Sequence, residues 1–325
     1  MSPLLSVKNL KVSIHNIETG KSGWVLRGID FDLASGDRVA LVGESGCGKS
    51  VTALTLLDLL PKPPMDWAQG EVRFKDRDLK SLSPEQWRLI RGAELSMIFQ
   101  DPFSSLNPVF TVGDQMLETI QTHKKIPQEE AVRRILELFR EVGLPDTERI
   151  YHQFPHQLSG GMCQRVMIAM AVSCGPSLLI ADEPTTALDV TVQSQILDML
   201  FRMTQEHGLG LLFITHNLPI IREYAHRIII LYAGQVVEEG TPEEIFEHPQ
   251  HPYTEGLLAA LPDLKQRGKA LANIPGQVPS PFEAQVGCSF SARCLKAQAR
   301  CRVENPDLVK NKKGHGFRCF YPSEK

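Results

Sequence analysis

Residues 38–50 read Arg-Val-Ala-Leu-Val-Gly-Glu-Ser-Gly-Cys-Gly-Lys-Ser, and this stretch decides the fold. Residues 38–42 form a short run of aliphatic and β-branched side chains, which predicts a buried strand. Residues 43–50 fit the pattern G-x-x-x-x-G-K-[ST], and residues 51–60 continue with apolar side chains at helical spacing. Strand, glycine loop and helix in this order predict the start of a parallel α/β sheet.

The glycine loop carries the chemistry of phosphate binding. Glycines let consecutive backbone N–H groups converge on one phosphate, and the following helix adds the positive end of its dipole. We expect Lys49 to reach the β- and γ-phosphates of ATP and the Ser50 hydroxyl to ligate Mg²⁺. A glycine turn with an incidental lysine is the alternative, which the flanking strand and helix disfavour. The predicted nucleotide contacts are Gly43, Glu44, Ser45, Gly46, Cys47, Gly48, Lys49, Ser50 and Val51.

Two carboxylates end a second apolar run, Leu178-Leu-Ile-Ala-Asp-Glu183. This places Asp182 and Glu183 at the carboxyl edge of the sheet, where α/β proteins bind ligands. We expect Asp182 to hold Mg²⁺ and Glu183 to orient and deprotonate an attacking water. An apolar strand followed by Asp-Glu is common, so this interpretation depends on the neighbouring motifs.

The remaining chain divides into segments with different patterns of apolar, helical and proline-rich sequence. Residues 211–215 and 228–232 are further strand candidates, and residues 192–206 have helical spacing. Between about residues 83 and 158 the β-rich runs disappear and residues 129–142 have helical spacing, which predicts a mainly helical subdomain. Frequent prolines after about residue 240 indicate an added segment. We therefore predict a nucleotide-binding domain at residues 1–245 and a C-terminal extension at residues 246–325.

Composition narrows the function. The chain has 325 residues, 42% of them hydrophobic and 22% charged, as in a folded protein with one large and one smaller domain. A net charge of −3 supplies no broad cationic surface, so we expect no nucleic-acid partner. No run of 18 apolar residues and no signal peptide is evident, which favours the cytosol.

A third motif, Leu158-Ser-Gly-Gly-Met162, resembles the signature of ATP-binding-cassette (ABC) ATPases, with Met where the commonest consensus has Gln. The resemblance implies a P-loop NTPase of ABC type with a RecA-like core and a helical subdomain. It also implies that Ser159, Gly160 and Gly161 contact phosphate on a nucleotide held by a facing subunit. Ser159 could equally cap a helix, and both roles are compatible.

Further motifs follow in the family's order. Gln100 resembles the glutamine loop, which contacts Mg²⁺ or water and couples to membrane subunits. Asp189, in Ala187-Leu-Asp189, resembles the aspartate loop at the dimer seam, and His216 resembles the histidine that contacts the γ-phosphate. The implied catalytic set is Glu183, His216, Gln100 and Lys49. Trp24 is the candidate for stacking on adenine, with a core tryptophan as the alternative.

The segments His251-Pro-Tyr-Thr254 and Asp101-Pro-Phe-Ser-Ser-Leu-Asn-Pro108 resemble the dipeptide, oligopeptide and nickel importer branch. That branch implies an ATPase that energises peptide import from the cytoplasmic face of the cell membrane. Its partners would be a homologous ATPase in a heterodimer, or a second copy in a homodimer, two transmembrane permeases and an extracytoplasmic substrate-binding protein. A nickel or other small-solute importer, and a soluble ABC ATPase without a permease, are the alternatives.

Four cysteines crowd the extension. Their separations are wider than the spacing of a common zinc ribbon, and an all-thiolate set suits either Zn²⁺ or an iron–sulfur cluster. The resemblance implies a four-iron four-sulfur cluster, with Zn²⁺ second and free structural cysteines third. We expect a structural role for this set, which comprises Cys288, Cys294, Cys301 and Cys319.

Overall fold

A computed structural model describes residues 2–185, 189–261, 273–283, 285–312 and 314–323. The chain divides into two compact units, which we describe separately. The first unit comprises residues 1–33, 38–80 and 214–325, and the second comprises residues 34–37 and 81–213. Within the described ranges, no helix combines the length and apolar character needed to cross a membrane.

The elements are numbered along the described chain. The strands are β1 (Leu5–His15), β2 (Ser22–Leu33), β3 (Arg38–Val42), β4 (Met65–Phe74), β5 (Arg77–Asp78), β6 (Leu95–Ile98), β7 (Leu178–Asp182), β8 (Gly210–Ile214), β9 (Arg227–Tyr232), β10 (Gln235–Gly240), β11 (Val309–Lys310) and β12 (Gly316–Phe317). The helices are α1 (Lys49–Leu56), α2 (Pro84–Ile90), α3 (Pro102–Ser105), α4 (Val112–His123), α5 (Gln128–Glu141), α6 (Thr147–Tyr151), α7 (Gly160–Val172), α8 (Val190–Glu206), α9 (Leu218–Tyr224), α10 (Pro242–Glu247), α11 (Pro252–Ala259) and α12 (Ala299–Val303).

The first unit contains an antiparallel sheet in the order β2-β1-β4-β5, which our sequence analysis did not predict. Strand β1 pairs with both β2 and β4, and its register shifts between Val7 and Leu10. Such a bulge interrupts the alternation of buried and exposed side chains that identifies a strand from sequence. The side chains of Leu5, Val7, Leu10 and Val12 are nonetheless buried.

The first unit also contains five neighbouring strands in the order β11-β12-β10-β9-β3. Strands β3 and β9 are parallel, with Val42 opposite Ile230, and they confirm the two predicted strands. Helix α1 confirms the predicted helix but ends at Leu56, before the expected residue 60. It ends early because Asp58 adopts a left-handed φ of 50° and the Leu59 N–H turns back to the Leu54 carbonyl at 2.8 Å.

The second unit contains strands in the order β8-β7-β6 and most of the helices. The strands and helices predicted at residues 178–181, 211–215, 129–142 and 192–206 are confirmed to within two residues at each end. The prediction that residues 83–158 lack strands is wrong, because strand β6 lies inside this segment. Strand β6 pairs in parallel with β7, Leu95 opposite Leu178. With only four residues, it was too short to produce a period-2 pattern.

The extension is attached to β10 through a buried carboxylate. Glu238 is 0% exposed, and its two carboxylate oxygens accept the N–H groups of Gln250, at 2.6 Å, and His251, at 2.9 Å. The Nε2 atom of His315 lies 2.8 Å from the same carboxylate. Strand β12 pairs with β10, so both ends of the extension contact this strand. The predicted domain boundary near residue 245 stays a prediction.

We predict that Leu95→Ala destabilises the protein, because the Leu95 side chain is fully buried on strand β6. Truncating a buried leucine costs about 2–5 kcal/mol of unfolding free energy. The matched control is Leu89→Ala, since Leu89 is 70% exposed and its loss should change stability by less than about 0.5 kcal/mol. Urea denaturation of the two variants measures the difference, and equal losses would contradict the buried position of β6.

Candidate nucleotide-binding site

The glycine loop joins β3 to α1 and leaves no room for side chains at two positions. A Cβ at Gly43 would lie 2.2 Å from the Leu231 carbonyl oxygen, so any other residue would collide with β9. Gly48, the N-cap of α1, has a φ of 107°, and a Cβ there would lie 2.6 Å from the Leu26 side chain. The loop therefore needs glycine at both positions to keep its backbone amides in this path.

Lys49 begins α1 and is already directed into the loop. Lys49 is 6% exposed, and its Nζ donates to the carbonyl oxygens of Gly43, at 2.7 Å, and Glu44, at 3.0 Å. The next residue, Ser50, is exposed. A buried ammonium, backbone amides and a helix N-terminus together favour an anion such as a phosphate group. These residues could hold the phosphates of a nucleotide and its Mg²⁺.

Two residues that our sequence analysis did not assign to the site contact Glu44 of the loop. The Glu44 N–H donates to the Tyr253 hydroxyl at 2.8 Å. The Glu44 carboxylate accepts two hydrogen bonds from Arg293, at 2.6 and 3.0 Å, and these raise the pKa of the Arg293 guanidinium. Tyr253 lies in the segment His251-Pro-Tyr-Thr254, but no local pattern distinguishes Arg293.

In the second unit, two of the predicted catalytic side chains meet. Gln100 follows β6 and Glu183 follows β7, and the Gln100 amide donates to the Glu183 carboxylate at 3.1 Å. Asp182, the last residue of β7, is 4% exposed. Glu183 has a left-handed φ of 46°, which costs a non-glycine residue about 1–2 kcal/mol. Backbone strain of this kind is concentrated at functional sites.

The signature residues form a helix N-terminus in the second unit. Ser159 is the N-cap of α7, and its hydroxyl accepts the Met162 N–H at 3.3 Å, which confirms the capping role. Asp189 caps α8 in the same way, accepting the Val192 N–H at 3.0 Å. The phosphate contacts expected of Ser159, Gly160 and Gly161 stay predictions. Of the predicted aspartate loop, Ala187 and Leu188 lie outside the described residues.

Two further predicted residues are accessible. His216 follows β8 and is exposed. Trp24, on β2, is 42% exposed, so its indole is not a core side chain. Both side chains therefore reach solvent, and their expected contacts with the γ-phosphate and adenine stay predictions.

The four cysteines of the extension line one cavity, together with Phe290 and Phe320. Burial, with smaller contributions from the other three cysteines, raises the pKa of the Cys319 thiol to about 11. The Cys288 N–H donates to the Cys301 carbonyl at 2.8 Å. All four thiols are free. In the described ranges, no three His, Cys, Asp or Glu side chains are arranged to hold a metal ion, so the metal site stays a prediction.

Comparison with known proteins supports the predicted family of both the nucleotide-binding domain and the C-terminal extension. Residues 26–186 match the family described as "ABC transporter", and residues 237–301 match the "Oligopeptide/dipeptide transporter, C-terminal region". The oligopeptide transport ATP-binding protein AppD of Bacillus subtilis is 45% identical over 324 residues, covering 100% of this chain and 98% of that protein. The dipeptide transport ATP-binding protein DppD of Escherichia coli is 45% identical over 312 residues, covering 96% and 95%.

A solved structure agrees with these relatives. The dimeric ATP-binding cassette MJ0796, in a post-hydrolysis state bound to ADP and Pi, superposes with a TM-score of 0.65 at 28% identity. The match covers 73% of this chain and 98% of that cassette. With the glycine loop, the signature and the carboxylate pair in the family's order, the resemblance is confirmed. This chain belongs to the ABC transporter family of ATPases, and it carries the C-terminal region of the oligopeptide/dipeptide transporters.

Proposed function

We propose that this ATPase energises the import of di- or oligopeptides through a bacterial membrane transporter. The observation that carries this proposal is the pairing, in one chain, of an ABC cassette with the oligopeptide/dipeptide transporter C-terminal region. Relatives named for oligopeptide and dipeptide transport align with it along nearly its whole length. A nickel or other small-solute importer is the second candidate within the same branch.

The partners that we propose are two transmembrane permeases, a homologous ATPase and an extracytoplasmic substrate-binding protein. The chain would attach peripherally to the cytoplasmic face of the membrane. Exposed apolar side chains within ten residues of Gln100 in sequence support attachment to a permease, because exposed apolar surface marks interaction sites. In the second unit these are Phe99, at 37% exposure, Phe103, at 50%, Val109, at 71%, and Phe110, at 52%.

Uptake of a labelled dipeptide into cells tests the function. The chain is expressed with the proposed permeases and binding protein, and we expect uptake that stops with Lys49→Ala. Uptake of nickel without peptide would favour the second candidate. Recovery of the chain with ribosomes or DNA, without any permease, would instead support a soluble ABC ATPase.

For the reaction, we propose that Lys49 and Ser50 hold the phosphates with Mg²⁺, which neutralises the charge that develops on them. The Glu183 carboxylate accepts a proton from water as the water oxygen bonds to the γ-phosphorus. The bond from that phosphorus to the bridging oxygen then breaks, which leaves ADP and phosphate. Gln100 orients the carboxylate, since its amide already donates to Glu183. The signature residues Ser159 to Gly161 would contact the nucleotide of a facing subunit.

We predict that Glu183→Gln lowers the turnover of ATP by about 10²–10⁴-fold, the usual contribution of a general base, while ATP binding is kept. With ATP, the variant mixed with its partner ATPase should accumulate as a closed dimer, which gel filtration detects. Glu137→Gln is the matched control, because the side chain of Glu137 is 60% exposed on α5 and should leave turnover unchanged. Turnover at the wild-type rate in Glu183→Gln would remove Glu183 as the base.

We further propose that the four cysteines of the extension hold a four-iron four-sulfur cluster, with Zn²⁺ as the alternative. Thiolates suit either group. The placement of all four thiols in the wall of one cavity supports this proposal. A bound cation would also stabilise the thiolate form of neighbouring thiols whose pKa values burial raises.

We expect about four iron atoms per chain and visible absorbance after anaerobic purification. Cys319→Ser should lose both, because it removes one of the four thiols lining the cavity. Cys174→Ser is the matched control, since Cys174 is also buried and free but lies in the second unit. Stoichiometric zinc without iron would favour the alternative, and a metal-free protein would contradict both.

A further inference from the structure

Arg293, in the extension, is a buried cation that contacts the phosphate loop. Its side chain is 6% exposed, and its two terminal nitrogens donate to the two oxygens of Glu44 at 2.6 and 3.0 Å. The remaining donors reach the carbonyl oxygens of Pro275, at 2.8 Å, and Ile274, at 3.2 Å. A planar guanidinium held on both sides in this way fixes the position of the carboxylate, because the paired bonds restrict its rotation.

An aromatic cluster holds this arrangement in place. The Arg293 guanidinium lies 5.7 Å from the ring centre of Tyr232 and 6.0 Å from that of Phe290. Tyr253 packs against both rings and accepts the Glu44 N–H through its hydroxyl. Both the backbone and the side chain of Glu44 are therefore fixed by residues outside the glycine motif.

The charge of Glu44 gives this arrangement a consequence for nucleotide binding. Glu44 is the second residue of a loop that receives phosphate groups, and its side chain is only 28% exposed. An unpaired carboxylate there would repel the phosphates, and partial burial would weaken screening by solvent. Pairing with Arg293 neutralises the charge of the Glu44 carboxylate. The Lys49 ammonium, which donates a hydrogen bond to the Glu44 carbonyl, then supplies the remaining net charge of the loop.

We propose that Arg293 is a positioning residue for nucleotide binding, which neutralises Glu44 and holds residues 43–48 in the shape that receives the phosphates. The C-terminal extension would thereby set the ATP affinity of the cassette. The proposal requires that the loop binds ATP, and it would stand whatever solute the transporter carries.

The test compares Arg293→Met with Arg222→Met in the full chain by titration with a fluorescent ATP analogue. We expect Arg293→Met to bind about tenfold more weakly, the equivalent of about 1.4 kcal/mol. Arg222→Met should bind as the wild type does, because Arg222 pairs with Glu247 on an exposed surface and not with a residue of the loop. Thermal unfolding in the absence of nucleotide confirms that each variant is folded. If Arg293→Met does not fold, Arg293→Gln replaces it, since glutamine removes the charge but keeps a hydrogen-bonding side chain.

The double variant Arg293→Met with Glu44→Gln separates positioning from general damage. If the unpaired carboxylate weakens binding, its removal should restore at least part of the affinity that Arg293→Met loses. A structural role alone would make the double variant as weak as the single variant or weaker. Unchanged affinity in a folded Arg293→Met or Arg293→Gln, or no recovery in the double variant, would overturn the proposal.

Discussion

The structure of this cassette depends on one constraint: several backbone amides must point at one anion without side chains in the way. Gly43 meets it by passing so close to the Leu231 carbonyl that no Cβ fits, and this joins the loop to the neighbouring strand β9. Lys49 adds a positive charge to the same site, because its ammonium is buried against the loop carbonyls. Glycine, strand pairing and a buried charge thus maintain a phosphate site before any phosphate arrives.

The parts that the sequence predicted well are those set by local chain geometry. The strand, loop and helix at residues 38–56 and the caps Ser159 and Asp189 each depend on residues a few positions apart. Strand β6 and the bulged strand β1 escaped prediction because one is too short and the other irregular. The contact between Arg293 and Glu44 joins positions 249 apart, and no local pattern announces a pairing of that kind.

The extension is joined to the cassette core by buried polar groups as well as by apolar packing. Glu238 is satisfied by two backbone amides and by His315, so the desolvation of its carboxylate is offset by hydrogen bonds. Burial lowers the pKa of His251 to about 3, so this ring stays neutral and its Nδ1 accepts the Tyr253 N–H. These bonds leave little freedom for the segment that carries Tyr253 to the phosphate loop.

The short strand β12 has a consequence for the solubility of the chain. By pairing with β10 at Glu238 and Glu239, it occupies backbone groups that would otherwise face solvent along a sheet edge. Strand β10 includes the buried Val236 and Val237, so an uncovered edge here would join open hydrogen-bonding groups to apolar side chains. Such an edge invites pairing with another chain. A chain truncated before residue 316 would expose this edge, and we expect it to aggregate before its ATPase activity is lost.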